Sequence, residues 1–198
     1  MEKISQTIVN FISQNIAVED GEMLDVYKYG IEITLSSLLN LAMIIVCSLL
    51  LSDFAAGLIF MICFVLLRSY TGGYHAETYW RCNVVFVCTF ILTYFAGRLF
   101  NYINPNVYTA LGIMLIGIFP IIKFAPVRNR HKILSESKRK KSKVVSLILF
   151  VLFLILSLLM IVFDIWYGYL ISATTLTVSV MIIIEVFMQS KGYHDSGN

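Results

Sequence analysis

The chain has 198 residues, of which 59% are hydrophobic and 14% charged, with a formal net charge of +3. A soluble domain carries about a quarter charged residues. With a mean hydropathy of +0.82, these values exclude an ordinary water-soluble fold and predict an all-α integral membrane protein, one membrane domain over 1–198.

Residues 1–20 are the first predicted element. Ile4, Ile8, Phe11, Ile12 and Ile16 recur at helical spacing, with Lys3, Gln6, Ser13 and Gln14 off that stripe. The pattern predicts an amphipathic helix that lies in the membrane interface or packs on the bundle's own face. It lacks the long apolar run ending in small residues of a cleaved signal peptide. "EDGE" at 19–22 is expected to break this helix.

Six spans follow, over about 31–51, 54–67, 83–99, 107–124, 144–163 and 165–187. A helix needs about 20 residues to cross roughly 30 Å of hydrocarbon. The second and third apolar runs are shorter than that, so their helices are expected to extend through "LLRSY" and "YWRCN". The stretch between them would then lie near one interface, with a non-helical or re-entrant break near 70–75.

The basic loop 126–143 holds Arg128, Arg130, Lys132, Lys138, Arg139, Lys140, Lys141 and Lys143. By the positive-inside rule it is cytoplasmic, and six spans then place both termini and residues 68–82 on the same side. Of the 15 Lys and Arg, only Arg98 falls outside in this topology. The charge is explained by topology or by contact with anionic lipid headgroups or an acidic peptide; no nucleic acid is implied.

The four cysteines form no disulfide framework. Cys47, Cys63 and Cys88 sit in apolar spans, where Cys behaves as a small hydrophobe. No CxxC pair, HExxH helix, glycine-rich phosphate loop or GxSxG elbow is present. No metal or organic cofactor is implied.

That leaves "RSYTGGYHAETYWRC", which is longer than a turn between spans requires. His75 and Cys82 are the residue types of a nucleophile and its base, and Arg81 adjoins the thiol. Seven residues of straight helix rise about 10.5 Å, too far for a hydrogen bond. A working pair therefore needs a break, and Gly72 and Gly73 supply residues free to adopt unusual backbone angles. Two readings stand: a catalytic dyad, or a His and a Cys placed independently at an interface. Tyr70, Tyr74, Tyr79 and Trp80 either wall a site or form an interfacial aromatic belt. Glu32 is either a site residue or the partner of Lys28 one turn earlier. Asn40 and Glu185 read as contacts between helices, and Glu77 and Asn83 are candidates to orient His75.

The motif resembles the signature of the accessory gene regulator protein B family, membrane cysteine endopeptidases of Gram-positive quorum sensing. The arrangement Arg–x4–Gly–x–His–x6–Cys falls on Arg68, Gly73, His75 and Cys82. "YKYGIE" ahead of the first span, the basic loop and the six-span plan are also similar. The resemblance implies that a short precursor peptide, with an amphipathic N-terminal segment and an acidic C-terminal tail, loses that tail. The remainder closes into a thiolactone or lactone ring. It implies Cys82 as nucleophile, His75 as base, Arg68 as a supporting or substrate-binding residue, and a homodimer in the bacterial cell membrane. The alternatives are a peptide exporter of the same signalling system and a non-catalytic scaffold.

Overall fold

The computed structural model describes residues 21–72, 79–103, 106–127 and 135–195. They form six helices: α1 (Gly21–Leu50), α2 (Phe54–Thr71), α3 (Tyr79–Ile103), α4 (Val107–Phe124), α5 (Glu136–Val162) and α6 (Tyr167–Asp195). All six are long and apolar enough to cross a membrane, so the chain is a multi-pass, all-α membrane protein. α2 and α4 have 18 residues each and rise about 27 Å, close to the hydrocarbon thickness. The amphipathic helix expected over 1–20 lies outside the described residues.

The helices run past their apolar stretches. Gly21 and Glu22 already belong to α1; the rest of the break expected at 19–22 lies outside the described residues. α2 continues through Arg68 to Thr71, and α3 starts at Tyr79. Helical hydrogen bonding can continue into the interface, where polar side chains reach water. α2 ends where Gly72 turns to φ 71°, its N–H still donating to the Arg68 carbonyl at 3.0 Å. A side chain there would be strained by that angle, and its Cβ would lie 3.1 Å from the Val127 carbonyl oxygen. The Val127 N–H in turn donates to the Thr71 carbonyl at 3.0 Å. The end of α2 is thereby docked on the segment that follows α4.

Short turns at 51–53 and 163–166, and the three residues that separate α3 from α4 in the sequence, make these successive helices antiparallel. They define one end of the bundle, called here the Asp53 end. The start of α1 and the connections after α2 and α4 define the other, the Cys82 end. α6 is the central helix, packed against α2, α3, α4 and α5, while α1 lies outside on α2 and α3. Apolar attraction contributes little between helices in lipid, so close packing and hydrogen bonds must hold them. Phe60 and Phe64 of α2 meet Phe86 and Phe90 of α3 with ring centroids 5.1–5.6 Å apart. A Cβ on Gly97 would come within 3.0 Å of the Leu170 backbone, so α3 and α6 approach closely only because that position is bare. The Ser179 hydroxyl of α6 donates to the Gly117 carbonyl of α4 at 2.6 Å.

At the Asp53 end, one carboxylate ties three helices together. Asp53 caps α2 by accepting from the Ala56 N–H at 3.1 Å. It also accepts from the Tyr167 hydroxyl at 2.8 Å and from Arg98 at 3.0 Å. The Arg98 guanidinium lies 3.8 Å from the centroid of the Trp166 ring.

Candidate active site

Cys82 lies in the first turn of α3 and is half-buried. Arg68 lies in the last turn of α2, its guanidinium 5.4 Å from the Phe64 ring centroid and donating to the Met181 sulfur at 3.7 Å. It interacts electrostatically with both the Cys82 sulfur and the Glu185 carboxylate of α6. Three helices thus converge a cation, a thiol and a carboxylate at one end of the bundle. Glu185 also accepts from the Gln189 side-chain amide at 2.8 Å. Its interaction with Arg68 of α2 is a contact between helices, as the sequence reading has it, and also sets it near the Cys82 thiol's cationic neighbour. The signal that could have found it is an ionisable residue within an apolar run.

The other cysteines have different settings. Cys63 is buried in the core formed with Phe60 and Phe64, Cys88 is exposed on a flank of α3, and Cys47 is half-buried toward the Asp53 end of α1. Cys82 alone pairs partial exposure with a charged neighbourhood at a helix start.

Of the remaining sequence candidates, Gly72 forms the end of α2, as described above. Glu32 is half-buried on α1, one turn before Ser36. His75, Gly73 and Glu77 lie outside the described residues, as does Tyr74. Trp80 is 70% exposed, which fits the interfacial belt rather than a wall of the site. Asn83, next to Cys82, is fully buried, and its Oδ1 accepts from the Ser36 hydroxyl of α1 at 2.8 Å. That side chain is engaged with α1.

A family model described as accessory gene regulator B matches residues 5–189. Putative AgrB-like protein 2 of Clostridium perfringens is 28% identical over 170 residues, 82% of this chain and 78% of its own length. A putative AgrB-like protein of Lactiplantibacillus plantarum is 28% identical over 142 residues, 71% of this chain and 70% of its own. Accessory gene regulator protein B of Staphylococcus aureus is 27% identical over 133 residues, 67% and 69% of the two chains. No solved structure matches the chain. Because the family model spans nearly the whole sequence, including α1 to α5, most of α6 and the Arg68–Cys82 stretch, the chain belongs to the accessory gene regulator B family.

Proposed function

We propose that the chain is a membrane-embedded cysteine endopeptidase that removes the C-terminal tail of a quorum-sensing precursor peptide and closes the remainder into a ring. Membership of the family implies a role in processing that peptide; the residue roles are our reading. His75 takes the Cys82 proton, and the thiolate attacks the scissile carbonyl. As the C–N bond breaks, His75 returns the proton to the leaving amine of the tail, and an acyl-enzyme thioester remains on Cys82. A thiol or hydroxyl of the bound peptide then attacks the thioester carbonyl. The ring forms, and Cys82 is released. Intramolecular attack by a well-held group reaches effective molarities of about 10⁵ M or more, which lets ring closure outrun hydrolysis.

The observation that carries this reading is that Arg68, in the last turn of α2, interacts electrostatically with Cys82, in the first turn of α3. Two residues of one family motif, on different helices, interact at one end of the bundle. A guanidinium there suits a substrate carbonyl or carboxylate. The backbone N–H groups of the first turn of α3 have no acceptor within the helix and point toward the same end. Lys138, Arg139, Lys140 and Lys141 form an exposed basic run in the opening turns of α5 at this end too. By the positive-inside rule we place it, both termini and the site in the cytoplasm. An acidic tail would find its counter-charge there. The membrane enzyme acts as a homodimer in this reading, as the family implies.

The purified protein in liposomes, given precursor, separates this function from export. Tail release without net movement of peptide across the bilayer is expected. Transport without cleavage would favour the exporter, and neither activity would favour a scaffold.

A further inference from the structure

Arg68 is a half-buried cation in the last turn of a membrane-spanning helix, and its neighbours hold it with unequal strength. The guanidinium lies 5.4 Å from the Phe64 ring centroid, one turn back on α2, and donates to the Met181 sulfur of α6 at 3.7 Å. A thioether is a weak acceptor, and attraction to a ring face sets no hydrogen-bond direction. A carboxylate is a strong acceptor and matches the guanidinium fork. Met181 and Glu185 are four residues apart, which sets them on one side of α6. The Met181 contact therefore brings Arg68 to the side of α6 that carries Glu185, and the two charges interact across the packing of α2 on α6. One turn further along α6, the Gln189 side-chain amide donates to Glu185 Oε1 at 2.8 Å. The half-buried carboxylate is thus held in its turn.

We propose that Glu185 is a positioning residue for Arg68: its carboxylate, steadied by Gln189, holds the guanidinium between α2 and α6, where its charge reaches the Cys82 thiol. Ordering a long side chain costs rotamer freedom, and an arginine near a helix end otherwise reaches out toward headgroups and water. An opposite charge fixed on a third helix offsets both tendencies. A fork of five N–H donors can give some to Glu185 and others to a substrate carbonyl. Glu185 itself touches neither substrate nor thiol in this role. The catalytic value of the arrangement rests on the reading of Cys82 as nucleophile; the placement of Arg68 does not.

Alkylation of Cys82 by iodoacetamide at neutral pH gives the test, with the full-length protein in nanodiscs and mass spectrometry reading each cysteine. The thiolate is the form that reacts. Were Glu185 to act on the thiol only through its own negative charge, Glu185→Gln would favour the thiolate and speed the reaction. If Glu185 holds Arg68 in place, the same variant lets the cation leave, and the rate should fall about threefold to tenfold. Arg68→Gln should show the same fall, and Glu185→Gln added to it should lower the rate no further. Glu185→Asp, which keeps the charge, should recover part of the rate. The kcat/KM for tail release should follow the same pattern, falling about tenfold in Glu185→Gln with the thermal midpoint unchanged. Should Glu185→Gln fail to fold, Gln189→Leu, which loosens the carboxylate without removing it, should give a smaller fall of the same sign, and an unchanged rate there overturns the proposal. An unchanged or faster rate in Glu185→Gln also overturns it, as does an equal further fall in the Arg68→Gln background. Tail release that survives Cys82→Ala would remove the nucleophile reading instead, while the alkylation rates still decide the placement of Arg68.

Discussion

The two ends of the bundle use polar residues in opposite ways. At the Asp53 end the polar atoms are matched: a carboxylate 7% exposed receives a backbone N–H, a phenol and a guanidinium, and the guanidinium lies over an indole ring. At the Cys82 end, Arg68 interacts electrostatically with Cys82 and Glu185, and the buried amide nitrogen of Asn83, next to Cys82, has no hydrogen-bond partner among the described residues. Satisfied networks fix a structure, whereas unsatisfied ones imply a further partner. With the proposed function, the contrast suits stability at the Asp53 end and chemistry at the Cys82 end.

The sharpest way to break that assignment is a pair of variants, one at each end. Cys82→Ala should abolish tail release, a loss of at least a thousandfold, with membrane insertion and thermal midpoint unchanged, because one small half-buried group is removed. Cys82→Ser should also fail, since an alcohol is a far weaker nucleophile near neutral pH. Cys88→Ala should keep nearly full activity. Measured in parallel, Asp53→Leu should do the reverse. It removes a helix cap worth about 1 kcal/mol and two hydrogen bonds to a charged acceptor. The Arg98 bond counts for less because that side chain is 45% exposed. A loss of about 2 kcal/mol or more in detergent unfolding is expected, with specific activity per folded molecule kept. If Asp53→Leu silences a fully folded enzyme, the division between the ends is wrong.

Gly72→Ala refines the picture at the Cys82 end. A Cβ at φ 71° and 3.1 Å from the Val127 carbonyl strains the point where α2 leaves helical geometry, costing about 1–2 kcal/mol. Activity should fall roughly tenfold while the protein still inserts, since the strain is local to the segment leading to His75. Tail-release rate against yield of inserted protein measures it. An unchanged rate would separate the Gly72 turn from catalysis.

The smallest effect is expected from the basic run that opens α5. Lys138, Arg139, Lys140 and Lys141 are exposed, and positive charge is unfavourable at a helix start. Exposed charge pairs contribute about 0.2–1 kcal/mol. Neutralising them one or two at a time should therefore raise the KM for the acidic-tailed precursor only two- to fivefold. Added salt should act in the same direction on the native enzyme. A reporter fused to the C-terminus controls for topology. If KM and its salt dependence stay unchanged in correctly inserted variants, these charges set orientation alone.

Much of the membrane plan was legible in the sequence because hydropathy is a property of each span by itself. Six apolar runs, a basic loop and two short spans flanking a polar stretch need no knowledge of packing. The helix overruns through Arg68 and Tyr79 were legible too, because the apolar runs were too short to cross. The pairings between helices were not. Asp53 reaches Arg98 and Tyr167, and Ser36 reaches Asn83, across tens of residues, and nothing in periodicity says which faces meet. Asp53 carried one readable sign, a capping residue just ahead of an apolar helix. Asn40 and Glu185 read alike from sequence, as polar residues inside spans. Packing distinguishes them: the Glu185 carboxylate faces Arg68, and the Asn40 oxygen is left without a partner among the described residues.

Covalent chemistry at Cys82 is tested most directly by trapping the acyl-enzyme. A precursor whose ring-forming Cys or Ser is replaced by Ala can lose its tail but cannot close the ring, so the thioester should accumulate. The enzyme is mixed with it, quenched in acid, digested and analysed by mass spectrometry. The expected result is an adduct on the peptide that contains Cys82, with the mass of the precursor less its tail, that disappears on treatment with hydroxylamine. Tail release from this precursor with no adduct on Cys82, or with the adduct on Cys47, Cys63 or Cys88, would contradict it.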